Sequence, residues 1–363
     1  MKFIDEFRDR ELVQDLSRRL GRLAAGPATV MEVCGTHTMA AARFGLKSLL
    51  PPGVRLISGP GCPVCVTAQA DLDAFLALGR TPDTVLATFG DMVRVPGSRT
   101  SLERERARGA VVRVVYSPLD AVDLAREQPG KTVVFFGVGF ETTMPATAVA
   151  IKSAAALNLD NFLVLCVHKT MPAAIRALLA GGELKISGLL LPGHVTTIIG
   201  AAAYDFIPRD FGVPGAVAGF EPVDMLLALE AILRQLQEGA ARIDNVYPRA
   251  VQAQPNPRAA ALLDEVFAPS DAEWRGLGVI PGSGVTIREA YARFDARVRF
   301  PEVWQELPPA PPSACRCGEV LRGALRPSQC PQFDKSCNPT QPLGPCMVSS
   351  EGACAAAYRY ERR

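Results

Sequence analysis

Long apolar runs are missing from this sequence. It contains no stretch of about 18 consecutive apolar residues, the length that a transmembrane helix requires, so we expect no membrane span. The first twenty residues, MKFIDEFRDRELVQDLSRRL, are charged throughout and lack the apolar core of a secretory signal. They predict an amphipathic surface helix with Phe3, Phe7, Leu12 and Leu16 near one face. The expected location is therefore the cytoplasm.

A strong excess of charge of either sign is missing too. The 39 Lys and Arg residues nearly balance the 37 Asp and Glu residues, and the formal net charge is +2. The basic residues are spread along the chain and form no stripe interleaved with aromatic residues, so nucleic acid is not an expected partner. Histidine is scarce, with 3 copies, which makes the position of each one informative.

The 10 cysteines are the most informative part of the composition. In the reducing cytosol, clustered cysteines indicate metal or redox chemistry more often than structural disulfides. Cys62 and Cys65 form a C-x-x-C pair, and Cys34 stands three residues before His37. Cys166 lies in an apolar run and is predicted to be a core residue. The remaining cysteines fall within the last fifty residues: Cys315, Cys317, Cys330, Cys337, Cys346 and Cys354.

Short apolar runs recur about every 25–30 residues, each followed by a helical pattern, which is typical of βα units. Eight runs are predicted to be strands: 29–33, 54–58, 84–89, 111–115, 131–136, 162–167, 186–191 and 215–220. Continuous apolar strands suit parallel sheets covered on both faces, so the fold class is α/β. We expect two similar Rossmann-like parallel-sheet domains of four consecutive strands each, at 26–127 and 128–240. A mainly helical or irregular domain is expected from 1–25 and 241–363.

The chemically informative residues follow these predicted strands. Nine residues come shortly after a strand: Cys34, His37, Cys62, Cys65, Glu141, Thr142, Thr143, His168 and His194. Ligands of doubly wound sheets bind beyond the carboxyl ends of the strands. The sequence therefore predicts one site in a cleft between the two domains.

Several of these residues also have a purely structural interpretation. Cys34 could be a small buried residue, and both His37 and His168 could be core histidines with satisfied hydrogen bonds. Glu141 and the two threonines after it could cap a helix, or they could orient ligands in the cleft. The position of Cys34 three residues before His37 favours soft-metal binding or an activated thiol. His194, between a glycine and a helix start, is favoured as a site residue, whereas both interpretations of His168 stay open.

The spacing of Cys62 and Cys65 helps to decide whether the pair belongs to a structural zinc site. A structural zinc site would need a second C-x-x-C or a histidine pair nearby in sequence, and neither is present. On an α/β fold, the pair is better interpreted as a dithiol that can close to a disulfide.

The tail follows a stiff proline-rich spacer at 307–313. Four thiolates can bind a cubane iron–sulfur cluster, and two more can form a redox disulfide beside it. The favoured cluster ligands are Cys315, Cys330, Cys337 and Cys354. Cys317 and Cys346 are then the redox pair, although Cys317 could replace Cys315 as a ligand. The alternative is zinc bound by four of the six.

Six long motifs resemble one protein family. They are MEVCGTHTMA, GPGCPVCVT, TFGDMVRVPGS, FGVGFETTMPAT, LPGHVTTIIG and the tail that begins CRCGEVLRG and ends EGACAA. Together they are similar to the HypD family of hydrogenase maturation factors, and the resemblance covers nearly the whole chain. Met39 stands where some members have a second histidine, so no role of that imidazole is carried over.

The resemblance implies a scaffold and redox factor that assembles the Fe(CN)2CO moiety of [NiFe]-hydrogenase, with Fe(II) carrying CO and cyanide as transient cargo. It implies a HypC-type small chaperone and a HypE-type cyanide donor as partners. Cys34 would hold the iron with His37 beside it, and Cys62 and Cys65 would be the dithiol of the cleft. Electrons would pass from a [4Fe-4S] cluster in the tail through the thiol pairs, in a layout similar to ferredoxin–thioredoxin reductase.

Two other functions fit part of the pattern. An iron–sulfur thiol–disulfide reductase explains the tail and the C-x-x-C pair, but it leaves Cys34, His37 and the His194 loop without a role. A zinc scaffold that only joins partners explains the tail alone. We therefore expect a maturation factor with redox chemistry rather than a free-standing turnover enzyme.

Overall fold

The structure is a computed structural model, and it describes residues 5–182 and 185–362. All eight predicted strands are present, with ends that shift by at most two residues. Within the described residues the strands are β1 (Ala28–Glu32), β2 (Val54–Ser58), β3 (Thr84–Thr88), β4 (Val111–Val114), β5 (Thr132–Gly137), β6 (Phe162–Cys166), β7 (Gly188–Pro192), β8 (Gly215–Ala218), β9 (Ile243–Asn245), β10 (Phe267–Trp274) and β11 (Gly278–Ile287).

Helices follow most of the strands, as βα units require. The α-helices of the described chain are α1 (Arg10–Leu23), α2 (Gly35–Arg43), α3 (Pro63–Val66), α4 (Gln69–Leu78), α5 (Leu102–Ala107), α6 (Pro118–Glu127), α7 (Met144–Ala156), α8 (Met171–Gly181), α9 (Gly193–Ile199), α10 (Phe206–Phe211), α11 (Pro222–Glu238), α12 (Pro257–Val266), α13 (Ala296–Arg299), α14 (Pro301–Gln305), α15 (Cys317–Leu321) and α16 (Ala353–Ala356). The start and stop signals are readable in the longest one. Proline begins α11, where a missing N–H costs nothing, and Gly239 ends it in a left-handed conformation with φ 66°.

Two parallel sheets carry the architecture. The first sheet has the strand order β2-β1-β7-β8-β9, and the second has the order β4-β3-β5-β6. The predicted grouping into two sets of four consecutive strands is wrong, because β1 and β2 pair with the late strands while β3 to β6 form the second sheet. The expected boundary at residue 127 falls between β4 and β5 and would divide the second sheet. Apolar patterning identifies strands but carries no information about which strands pair.

In each sheet, the side chains of alternate strand residues point to opposite faces and pack into different cores. One face of the first sheet packs under α1 and α11, and one face of the second packs under α6 and α7. The two remaining faces contribute to one shared core, for example through Met31 of β1 and Leu86 of β3. The sheets are therefore joined by a common apolar interior, and their strand ends are held at fixed positions relative to each other.

Parts of the predicted third domain belong elsewhere. Helix α1 packs against α11, buries Leu16 and Leu20, and places Arg19 on Glu230 with an N–O distance of 2.6 Å. Leu12 is 39% exposed and lies off this buried face, and Phe3 falls outside the described residues. Strand β9 extends the first sheet. The expectation that 1–25 joins the cysteine-rich segment is thus wrong.

A hairpin interrupts the segment that was expected to be helical or irregular. Strands β10 and β11 pair antiparallel, with an irregularity between Ser270 and Ala272. The residues of β10, FAPSDAEW, alternate in burial, as in a strand. They are mostly polar and include a proline, so the sequence pattern did not predict a strand here. After the hairpin, the described tail does consist of short helices and irregular segments. In the described residues, no helix combines the length and apolarity needed to cross a membrane.

Each sheet has a topological switch point. In the first sheet, the chain leaves β1 for β2 on one side, and β7 later pairs on the other side, which opens a crevice between the ends of β1 and β7. The second sheet has the same arrangement between β3 and β5. Loops at these two crevices are the ones that the sequence marks as chemically informative.

Candidate functional site

The two switch points meet in one cleft of about 250 Å³. Its walls come from the loops after β1, β2, β3, β5 and β7, and they include Cys34, Gly61, Pro63, Asp91, Thr142, Thr143 and His194. The tail contributes Ser349 and Glu351 to the same cleft. The predicted convergence of strand ends is therefore confirmed for these loops.

Cys34 is buried at the start of α2. Burial and, after it, the negative charge of Glu351 raise the pKa of the Cys34 thiol to about 12. Without a bound cation, Cys34 is thus a neutral thiol at neutral pH. A soft metal ion that binds the sulfur would displace this proton and supply the positive charge that the site lacks.

The Cys34 loop and the Cys62 loop are packed backbone to backbone. The Gly35 N–H donates to the Gly61 carbonyl oxygen at 2.8 Å. A Cβ atom on Gly61 would lie 2.2 Å from the Cys34 nitrogen. Only glycine allows this approach, so Gly61 fixes the distance between the two cysteine loops.

Replacing Gly61 with alanine is therefore expected to lower the free energy of unfolding by about 1–3 kcal/mol, because the backbone of Cys34 must shift. Urea denaturation of both proteins measures the difference. Gly26→Ala is the matched control, since a Cβ there would have no atom within 4 Å. Equal stability of the two variants would contradict the close packing of these loops.

Cys62 and Cys65 form a disulfide with their Cα atoms 5.2 Å apart. The sequence predicted a dithiol able to close in this way. The two sulfurs are buried in an apolar core that also contains Cys317 and Cys346, while the neighbouring Gly61, Pro63 and Val64 line the cleft. The pair therefore lies behind the cleft wall, on the side of the tail.

His37 also lies behind the wall. Its Nε2 is 2.9 Å from the Gly219 carbonyl oxygen, so Nε2 carries the proton and donates. Burial lowers the pKa of His37 to about 4, and the imidazole is neutral. Its ring stacks on Phe220 at 4.8 Å, and His194 stacks on the same ring at 3.8 Å. Of the two histidines, His194 is the one that lines the cleft.

His168 does not belong to the cleft, which corrects the expectation that all three histidines share one site. It lines a second cavity of about 330 Å³ together with Cys166, whose sulfur is 3.4 Å from His168 Nδ1. His168 Nε2 is 3.4 Å from the Thr147 hydroxyl, and burial lowers the pKa of His168 to about 3. It is a neutral, buried histidine with polar neighbours.

Glu141 is buried at the edge of the cleft. Its Oε1 accepts the N–H of Met171, the first residue of α8, at 2.9 Å. The helix-cap interpretation thus holds for α8, whereas the following Thr142 and Thr143 line the cleft. Within the described chain, Oε2 of Glu141 has no hydrogen-bond partner. Burial raises the pKa of Glu141 to about 7.

The raised pKa of Glu141 makes stability depend on pH. The folded state binds the proton more tightly than the unfolded state, so the stabilisation is present below about pH 4.5 and is lost as pH rises through about 7. Between about pH 5 and pH 8, the free energy of unfolding of the wild type should fall because Glu141 loses its proton. In Glu141→Gln this contribution, on the order of 2 kcal/mol, should be absent. Denaturation at both pH values measures it. The exposed carboxylate variant Glu127→Gln is the control and should keep the wild-type slope.

Sequence reasoning missed the residues that the tail brings to the cleft. The Thr36 hydroxyl donates to Glu351 Oε1 at 2.6 Å, and a Cβ on Gly35 would lie 2.5 Å from the Glu351 Cβ. Ser350 anchors the same segment to Asp91, with its N–H 2.8 Å from Asp91 Oδ2. No pattern in the sequence connects residues so far apart, although Asp91 itself follows a predicted strand.

The six tail cysteines converge on one small cavity of about 20 Å³. Its lining includes Cys315, Cys317, Cys330, Cys337, Cys346 and Cys354. Burial raises the pKa of Cys354 well above its ordinary value, and the charges that its neighbours would carry raise it further. The thiol of Cys317 interacts with those of both Cys315 and Cys346, so the two candidates for the fourth ligand lie beside each other.

The donor set of this cavity fits an iron–sulfur cluster. Six soft sulfur donors converge with no histidine among them. Across residues 5–182 and 185–362, no three His, Cys, Asp or Glu side chains are arranged around a single metal ion. The four thiolates of a cubane each bind a different iron, so they lie farther apart than the ligands of one ion.

The cysteine cavity and the disulfide are neighbours. A 3-10 helix, Pro345–Met347, contains Cys346 and packs against α3, which contains Cys65. The segment from Cys346 to Cys354 therefore lines the cysteine cavity at both ends and the cleft in its middle.

A family model and several related proteins identify one family. The family model described as HypD, hydrogenase formation hypA family, matches residues 10–361. The chain is 48% identical over 376 residues to the hydrogenase expression/formation protein HupD of Azotobacter chroococcum mcd 1, and the match covers 100% of this chain and 98% of that protein. It is 48% identical over 372 residues to the hydrogenase maturation factor HypD of Azotobacter vinelandii, with 100% and 98% covered. Identity to HypD of Escherichia coli strain K12 is 45% over 376 residues, with 100% and 99% covered.

Proposed function

Because the chain belongs to the HypD family of hydrogenase maturation factors, we propose that it is the scaffold on which the Fe(CN)2CO moiety of [NiFe]-hydrogenase is assembled. Iron is the cargo, and Cys34 holds it in the cleft. The observation that carries this proposal is the position of Cys34 at the point where the switch points of both sheets meet. A cleft of about 250 Å³ has room for one iron with small diatomic ligands.

Thiolate sulfur is a suitable ligand for such iron. It is soft and electron-rich, and iron that binds carbon monoxide and cyanide is low-valent. Cys34 supplies one thiolate, and a cysteine of a HypC-type chaperone supplies the other. His194, Thr142 and Thr143 line the cleft and can orient the ligands, while His37 supports the ring stack behind His194.

Cyanide arrives from a HypE-type partner as a thiocyanate on sulfur. Breaking the S–CN bond so that carbon leaves as cyanide requires two electrons. A reduced Cys62 and Cys65 pair can supply both electrons when it closes to the disulfide that the structure contains, with loss of the protons that its thiols carry. The pair must then be reduced again before the next transfer.

The tail is the source of this reduction. Cys330, Cys337 and Cys354, with Cys315 or Cys317, would hold a [4Fe-4S] cluster, which supplies single electrons when bound. Cys346 lies on the 3-10 helix that packs against α3, so thiol–disulfide exchange between the tail and the Cys62–Cys65 pair needs no long movement. We place the protein in the cytoplasm, where such thiols can be reduced.

A second function has one observation in its favour. The disulfide lies beside the tail cysteines in one apolar core, as a thiol–disulfide reductase of the ferredoxin–thioredoxin type would require. That function gives no role to the cleft or to Cys34, so it accounts for less of the molecule.

Infrared spectroscopy of the chain purified with its partners tests the proposal. Bands of iron-bound carbon monoxide and cyanide are expected in the complex and not in the separate chain treated with chelator. A complex that contains iron and shows neither band would overturn the scaffold function and favour the reductase.

A further inference from the structure

The two sulfurs of the disulfide have different surroundings. The Cys65 N–H donates to Cys62 Sγ at 3.1 Å, and the Ser349 Oγ lies 3.4 Å from the same sulfur. Within the described residues, no hydrogen bond reaches the Cys65 sulfur. If the bond between them is reduced, the sulfur with two nearby donors is the better place for the negative charge.

Ser349 is held in a position to donate. It is 1% exposed, and its Oγ accepts the N–H of Glu351 at 3.2 Å. The other acceptor within reach of its hydroxyl is Asp91 Oδ2 at 3.3 Å. That oxygen already receives two shorter hydrogen bonds from Ser350, from N–H at 2.8 Å and from Oγ at 2.6 Å. The Ser349 proton can therefore turn to Cys62 when that sulfur becomes a stronger acceptor.

We propose that Ser349 is a positioning residue of the tail that makes Cys62, and not Cys65, the thiolate of the reduced pair. This inference rests on the proposed function only in assuming that the pair is reduced and reoxidised. In the reduced pair, Cys62 is then the reactive nucleophile, and Cys65 keeps its proton. The tail thus contributes to the chemistry of the pair through a hydroxyl as well as through its cysteines.

The reduction can be written with a dithiol as the reductant. One thiolate of the dithiol attacks the disulfide, the second thiol completes its oxidation to a cyclic disulfide, and the Cys62–Cys65 bond breaks. Counted from the neutral dithiol, which releases one proton to form the attacking thiolate, the products are the Cys62 thiolate, the Cys65 thiol, the oxidised dithiol and that proton. Two electrons pass from the dithiol to the pair, and the Ser349 hydroxyl donates to the sulfur that keeps the charge.

Other charged or titratable groups lie on the segments packed around the pair, and Cys317 shares its apolar core. Asp91 comes from the loop after β3, Glu351 and Cys346 come from the tail, and Cys34 belongs to the loop packed on Gly61. Arg275, between β10 and β11, donates its backbone N–H to the Val66 carbonyl oxygen of α3. A Ser349 variant leaves all of these groups in place. A change in Cys62 reactivity in that variant is therefore due to loss of the Ser349 hydroxyl.

Alkylation of the reduced chain with iodoacetamide tests the proposal, with each cysteine followed by peptide mass mapping across a pH series. In the wild type, Cys62 should react before Cys65. In Ser349→Ala, the Cys62 rate at neutral pH should fall by about tenfold and its pH profile should move to higher pH, because a charge-assisted hydrogen bond is lost. Ser349→Thr keeps a hydroxyl and should restore the profile. Ser48→Ala, which removes an exposed serine hydroxyl that bonds the Gly45 carbonyl oxygen, is the control.

An unchanged Cys62 profile in a folded Ser349→Ala protein, or faster alkylation of Cys65 in the wild type, would overturn the assignment. A second measurement is the midpoint potential of the pair in a glutathione series, which should become more negative in Ser349→Ala. Neither readout needs iron or partner chains. Failure of the infrared experiment would therefore refute the scaffold function, whereas failure here would refute only the role of Ser349.

Discussion

Replacing Cys34 with alanine is expected to abolish iron-bound carbon monoxide and cyanide in the complex with the partners. Among the described residues, Cys34 is the cysteine that lines the cleft, and it lies at the junction of the two switch points. Without it, the partner's thiolate alone would have to retain the cargo. The infrared bands should disappear, and iron beyond the tail cluster should be lost from the purified complex.

Cys166→Ala provides a matched control for this loss. Cys166 is also buried at the carboxyl end of a parallel strand, and burial raises its pKa to about 12, as it does for Cys34. It differs in lining the second cavity instead of the cleft. Retained bands in Cys34→Ala, or equal loss in both variants, would contradict the role of Cys34 as the iron ligand.

Replacing Cys354 with alanine should remove the iron–sulfur cluster. Cys354 lies in the tail cavity, and the thiols of Cys317, Cys315, Cys337 and Cys330 all influence its pKa, so it is central to the sulfur group. Loss of one of four ligands should remove the brown visible absorption and the cluster iron from the anaerobically purified chain.

Cys346→Ala is the informative comparison for this experiment. It should keep the brown absorption, because Cys346 belongs to the predicted redox pair, but it should slow reduction of the Cys62–Cys65 disulfide. Alanine variants of Cys315 and Cys317 then decide which of these two is the remaining ligand. A colourless wild type that contains zinc in place of iron would refute the cluster assignment.

The strands and the loops of the cleft were predictable from the sequence, because each depends on local pattern. Continuous apolar runs such as VRLIS identify buried parallel strands, and the residues after them must lie at one edge of a sheet. Cys34, Thr142 and His194 reach the cleft for this reason. His168 followed the same rule and yet faces a second cavity, because a strand end can direct its side chains to either face of the sheet.

The strand order and the path of the tail could not be predicted. β1 and β3 are equally apolar, so their patterns do not show that β1 pairs with β7 and β3 with β5. Glu351 reaches the Cys34 loop through contacts between residues more than three hundred positions apart. Such contacts depend on the shape of the assembled surfaces rather than on the period of any segment.

The strand order also has a consequence for biosynthesis. The second sheet, β3 to β6, is inserted between the two parts of the first, so it can complete its pairing on the ribosome while β7 to β9 are still untranslated. Until β7 emerges, β1 has only β2 as a neighbour, and the cleft lacks the wall that contains Pro192 and His194. Co-translational folding therefore completes the cleft late, after the inserted unit has formed.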